Sequence, residues 1–193
     1  MTTPILPRPT ADEVIRAEKK FDEENGPTEW VLTQLFQKFP ENNDSEEVIV
    51  KTKVLNALYS TYILAVKRVA THITNLGIDP DLRAGKPEIV DRIAKVQLQN
   101  GKTRNYFCFA SKYCSWHNPM AYPIYDRNVE ACLWCYRKQY GFAMFRRYGY
   151  DYPEFVRRVN AFRDFYGLTS FTYKQLDKFL FYLGYTLPSR EQA

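Results

Sequence analysis

The sequence predicts an all-α protein. Three observations lead there. Apolar residues recur at helical spacing over most of the 193 residues, capping residues stand at the head of most periodic runs, and no two segments alternate as paired strands. Apolar residues make up 45% and charged residues 25%, a globular balance that excludes wholesale disorder and supports a core without disulfides.

The elements follow in order. Pro4, Pro7 and Pro9 predict a loose N-terminus over residues 1–9. Thr10 caps a helix opening Ala11-Asp12-Glu13, with acids at the positive dipole end. Pro27-Thr28-Glu29 opens a second helix to Phe39, with Trp30, Leu35 and Phe36 as core candidates. A loop over 40–45 leads to Asp44 or Ser45 as the cap of a helix carrying Val48, Leu55, Leu58 and Tyr59. Ile63, Val66, Val69, Ala70 and Ile73 continue the periodicity, and Gly77 is a stop. Pro87 opens a helix running through Ile89, Val90, Ile93 and Val96.

A further helix spans about 105–116 and ends at His117-Asn118-Pro119. An extended piece, 121–125, reaches Asp126, the N-cap of a helix to Tyr140. Helices fit 153–165 and 173–183, where Thr172 and Gln175 have capping-box spacing and Gly184 suits a stop. Residues 189–193 read as a loose tail, and 1–193 as a single domain.

Charge and aromatics are uneven. Residues 1–100 carry 13 Lys/Arg against 15 Asp/Glu, and residues 101–193 carry 14 against 7. Aromatics split 6 to 25 in the same direction. A basic, Tyr-rich half suits a polyanion such as nucleic acid; a basic surface over an aromatic core is the plainer alternative. No run approaches 18 consecutive apolar residues, so no membrane span is expected, and the first residues lack the charged and apolar regions of a secretory leader. A cytoplasmic location follows as the expectation.

The cysteines, Cys108-x5-Cys114-x17-Cys132-x2-Cys135, lack the two close pairs of a zinc site and read as apolar thiols, so no metal or cofactor is expected. His72 reads as structural or exposed, and His117 as a helix-end residue.

The informative stretch is Tyr122-Pro123-Ile124-Tyr125-Asp126-Arg127-Asn128-Val129, behind a helix containing Ala110, Lys112 and Trp116. It resembles the helix-hairpin-helix DNA glycosylase superfamily, whose adenine-glycosylase branch reads aromatic-Pro-Ile-Leu-Asp-Gly-Asn-Val. The resemblance covers about residues 45–135 and is specific at 121–129. It implies a two-lobed helical bundle of the glycosylase type, with Asp126 as the catalytic carboxylate. Leu58-Tyr59-Ser60-Thr61 falls where the family has a Leu-Gln-Gln-Thr motif beside the flipped base. Tyr59, Ser60, Tyr62, Cys108 and Trp116 are therefore base-pocket candidates. Two departures stand out. The family hairpin Leu-Pro-Gly-Val-Gly is replaced by Asn100-Gly101-Lys102-Thr103-Arg104-Asn105, and the lyase lysine, 18 residues before the Asp, is Cys108. Lys112, one turn on, is a second catalytic candidate.

The chemistry fits. Cleaving an N-glycosidic bond builds positive charge on the sugar, which a carboxylate held at a helix N-terminus stabilises. The alternative is that Asp126 only caps its helix. Lys102, Arg104, Arg127, Arg146 and Arg147 are the DNA-contact candidates, with Arg137, Lys138, Arg157 and Arg158 as further cations near phosphate. The expected function is a monomeric, monofunctional glycosylase acting on double-stranded DNA, in base repair or in defence against hypermodified phage DNA. A non-catalytic nucleic-acid-binding module on a decayed glycosylase fold is the first alternative, and a helical protein-interaction domain the second.

Overall fold

A computed structural model describes residues 5–147 and 149–187. It is mostly helical, and the all-α class holds. The elements are α1 (Ala11–Lys38), α2 (Ser45–Tyr59), α3 (Val66–Leu76), α4 (Asp79–Arg83), α5 (Glu88–Ala94), β1 (Lys95–Gln97), β2 (Thr103–Asn105), α6 (Phe107–His117), α7 (Arg127–Tyr140), α8 (Tyr152–Tyr166) and α9 (Tyr173–Thr186). They form two compact units, one of residues 25–122 and one of residues 1–24 with 123–193.

In the 25–122 unit, α2 packs on α3 and α5 on α6. Asp44 caps α2 by accepting from Glu46 and Glu47 N–H, and Gly77 ends α3 in the left-handed region at φ 59°. Leu32, Val48, Leu55, Ile73, Ile93 and Phe109 are among its fully buried side chains. Phe36 is buried as expected, but Trp30, also expected in the core, is 65% exposed, and Leu32, one turn before Phe36, shares the core face with it. Leu58 is exposed too.

In the other unit, α7 packs on α8 and α9. Its core is aromatic: Tyr136 meets Phe162 at 5.2 Å and Tyr166 at 5.4 Å between ring centroids, and Tyr125 meets Phe155 at 5.1 Å. Much of the Tyr and Phe excess is thus spent on packing. The capping box between Thr172 and Gln175 forms at the head of α9.

Five expectations are corrected. The break at Pro27 does not occur: α1 is one helix from Ala11 to Lys38. Gly26, without a Cβ, relieves the clash that a proline ring makes with the residue before it. The helix expected to reach Val96 ends at Ala94, and Lys95–Gln97 pairs antiparallel with Thr103–Asn105, so a strand pair exists. Residues 6–9 are not loose. Leu6 exchanges hydrogen bonds with the Gln139 amide at 2.8 Å in both directions, and the Pro7 carbonyl accepts from Tyr136 Oη at 3.1 Å. Gly184 does not stop α9, which continues to Thr186. Arg158, expected near phosphate, is buried and paired with Glu130 at 3.4 Å and Glu154 at 3.4 Å. The tail at 189–193 lies outside the described residues.

Candidate functional site

Cys108, Lys112 and Trp116 are spaced by four along α6 and share one of its faces. Lys112 is 5% exposed. Its Nζ donates to Cys108 Sγ at 3.1 Å and lies 5.0 Å from the centroid of the Tyr59 ring. Trp116 Nε1 donates to Tyr59 Oη at 3.2 Å. Tyr59 is the last residue of α2, and α2 packs on α6, which delivers its ring to this face. An amine, a thiol and two aromatic side chains from two helices are so brought together. A desolvated ammonium over a tyrosine face is worth about 2 kcal/mol.

Ser60 and Tyr62 stand beyond Tyr59 on an exposed loop. Both take left-handed backbone, at φ 49° and 57°. That conformation costs a non-glycine residue about 1–2 kcal/mol. Asn56 organises the loop: its amide donates to the Ile63 carbonyl at 3.0 Å, and its Oδ1 accepts from Thr61 Oγ1 and Ile63 N–H, each at 2.9 Å. The result presents Tyr62 83% exposed.

A second cluster in the same unit escaped sequence reading. Lys51 is fully buried, and its Nζ donates to the carbonyls of Phe39 at 3.0 Å and Glu41 at 2.6 Å and to Asn42 Oδ1 at 2.8 Å. Three ammonium protons meet three oxygen acceptors. Asn42 Oδ1 also accepts from Tyr113 Oη at 2.5 Å, and the Asn42 amide donates to Asp79 Oδ1 at 2.6 Å. The His117 ring packs on Phe36 and Tyr113, with Nε2 3.4 Å from Lys51 Nζ. Burial pushes Lys51 down to about 8, partly countered by Asp79. Burial and then the Lys51 charge push His117 down to about 3. Burial raises the Asp79 carboxyl, but the bonds from Asn42 outweigh it and hold it below its ordinary value. The cluster ties the loop after α1 to α2 and α6. One signal was available: Lys51 falls on the stripe of Val48, Thr52 and Leu55, which faces the core.

In the other unit, Asp126 is the N-cap of α7. Its Oδ1 accepts from Asn128 N–H at 2.8 Å and Val129 N–H at 3.1 Å. The approach is held by packing and by Tyr152 Oη, which donates to the Pro123 carbonyl at 2.6 Å. Arg127 and Arg146 are exposed, without an acidic partner among the described residues, and Arg147 is half-buried. Arg157 is engaged by Glu154 at 2.8 Å, and Arg137 stacks on Trp134 at 4.7 Å. Lys102 and Arg104, on the ribbon of the 25–122 unit, are exposed.

Cys114, Cys132 and Cys135 are buried thiols, and burial pushes Cys114 and Cys132 up. Among the described residues no group of three His, Cys, Asp or Glu is arranged to hold a metal ion, and no helix is long and apolar enough to cross a membrane.

Residues 11–121 match the model of the HI_0787_N family, described as an N-terminal domain. That match takes in the Tyr59–Lys112 and Lys51–His117 clusters and stops before Asp126. An uncharacterized protein of Haemophilus influenzae strain Rd is 36% identical over 140 residues, covering 72% of this chain and 67% of that protein. No solved structure matches.

Proposed function

The chain belongs to the HI_0787_N N-terminal domain family, and we propose that it is a DNA glycosylase of the helix-hairpin-helix type, hydrolysing the N-glycosidic bond of a flipped damaged or modified base. The observation that carries the reading is the contact set of Tyr59, Cys108, Lys112 and Trp116. Residues up to 57 positions apart supply aromatic faces, a thiol and an amine. Those are the elements a pocket needs to stack an extruded base and hydrogen-bond its edge. The cap geometry of Asp126 is compatible with the role the resemblance gives it: a carboxylate fixed by two backbone N–H groups loses little freedom on reaction. Exposed Arg127 and Arg146, with Lys102 and Arg104, supply cations for phosphates.

In this mechanism an extruded base is held on Tyr59 and Trp116 with Lys112 bonding its edge, and the role that the glycosylase resemblance gives Asp126 is to stabilise the oxocarbenium-like sugar while water attacks C1′. The base leaves and an abasic site remains. The test is incubation with a panel of modified duplex DNAs, glucosylated phage DNA included, and chromatography of released bases. Release from one class supports the reading. Salt-dependent DNA binding with no base release throughout the panel favours instead a non-catalytic binding module. The observation on that side is the β1–β2 ribbon, which pairs Lys95–Gln97 with Thr103–Asn105 in the stretch where the glycosylase resemblance expects a Leu-Pro-Gly-Val-Gly hairpin.

A further inference from the structure

Charge in the 25–122 unit is divided by neighbourhood. Around α4 and α5 the cations are answered by acids: Arg83 meets Glu41 at 3.1 Å, and Lys86 and Arg92 meet Asp81 at 2.7 and 3.0 Å. Lys67 and Arg68 of α3 and Lys95 of β1 are exposed and have no acidic partner among the described residues.

Lys67, Arg68, Thr71, His72 and Asn75 recur at i, i+1, i+4, i+5 and i+8, one face of α3, while Val69, Ala70 and Ile73 point to the core. With Gln97 of β1 they line an open groove of about 520 Å³. Val96 is buried and its neighbours exposed, so strand alternation sets Lys95 on the same face as Gln97. Two lining groups are already used: the His72 ring donates through Nε2 to the Arg92 carbonyl at 2.9 Å, and Thr71 Oγ1 donates to the Lys67 carbonyl at 3.0 Å. These bonds set the walls and leave the cations and the Asn75 and Gln97 amides as donors.

The lining says what kind of partner fits. It holds no large apolar side chain of the sort that inserts at a membrane surface. It is long and open. From Lys67 to Asn75 the helix rises about 12 Å, several nucleotide steps at about 3.4 Å of strand rise each. A polymer of phosphates matches that length better than one small anion does.

We propose that the groove between α3 and β1 binds the phosphate backbone of nucleic acid, with Lys67, Arg68 and Lys95 as its cations. The site rests on the nucleic-acid part of the proposed function and not on base excision. The experiment measures duplex DNA affinity against salt for the full chain, for Lys67→Ala/Arg68→Ala, and for Arg83→Ala/Lys86→Ala. The last pair removes the same formal charge from acid-paired positions. All these side chains are exposed, and circular dichroism checks the folds. The groove variant is expected to flatten the log–log salt slope by about 2, on any duplex sequence, and the control by less than half of that. Equal slopes for the two variants overturn the groove while the nucleic-acid reading stands. A wild-type protein with no salt-dependent DNA binding overturns both. Binding of wild type, lost in the groove variant, to phosphatidylserine vesicles but not to DNA overturns the groove's assignment to nucleic acid.

Discussion

Gly184 of α9 and Asn128 of α7 pack with no room for a side chain between them. A Cβ on Gly184 would stand 3.0 Å from Asn128 Cα and overlap Asn128 Cβ. Asn128 is also the residue whose N–H is held by Asp126. α9 therefore approaches α7 closely at the turn that positions the proposed catalytic carboxylate.

Gly184→Ala separates two opposed effects. In an ordinary helix interior, replacing Gly by Ala gains about 0.5–1 kcal/mol. Here overpacking against backbone costs about 1–3 kcal/mol. A net loss of stability is expected in urea unfolding. A net gain contradicts the close approach.

Removing the buried amine is expected to be severe. Lys51→Met leaves the Phe39 and Glu41 carbonyls and Asn42 Oδ1 without their donor, and about 3 kcal/mol or more should be lost. Urea midpoints measure it. A loss under about 1 kcal/mol would mean that the three acceptors find other donors.

His117 sets a pH dependence with a definite sign. Its folded value is pushed down to about 3 from an ordinary 6.5. Between those values the unfolded chain takes a proton that the folded protein refuses. The stability is fully present above 6.5 and is lost as pH falls toward 3, by at most about 1.4 kcal/mol per pH unit. Lys51 and Asp79 face the same ring, and a window from about pH 6.5 to 4.5 stays clear of the ordinary titration ranges of both. Over that window wild type should lose more stability than His117→Gln. Parallel profiles contradict a buried neutral imidazole.

The caps were legible because each is a short-range event: Thr10, Asp44, Asp126 and Thr172 meet backbone N–H groups two or three residues on. Asp126 was read as a cap that way; its catalytic role and the candidacy of Lys112 came only from the glycosylase resemblance. What failed depends on tertiary contacts. Strands of three residues carry no readable alternation, so β1 reads as the end of a helix and residues 100–105 as an altered hairpin. Gly184 looks like a stop unless Asn128 is known to lie against it. The Lys51 cluster joins residues from four separate places, 39–42, 51, 79 and 113–117, and only the core-facing position of Lys51 hinted at it.

Lys112 tests the class of chemistry. A lyase needs an amine that forms an imine with C1′. In the proposed mechanism Lys112 bonds the base edge, and water attacks the sugar. Borohydride during turnover should trap no protein–DNA adduct. A trapped adduct, lost in Lys112→Ala, would make the enzyme bifunctional.

The central claim is that Asp126 acts on the sugar and does not merely cap α7. Asp126→Asn keeps an amide oxygen to accept from the Asn128 and Val129 N–H groups, so folding should survive. It removes the charge. One well-placed electrostatic group supplies ~3–4 kcal/mol, so single-turnover base release from the cleaved substrate should fall by about 100-fold or more with DNA affinity retained. Base release at the wild-type rate by a folded Asp126→Asn protein would contradict the claim and leave Asp126 as a helix cap.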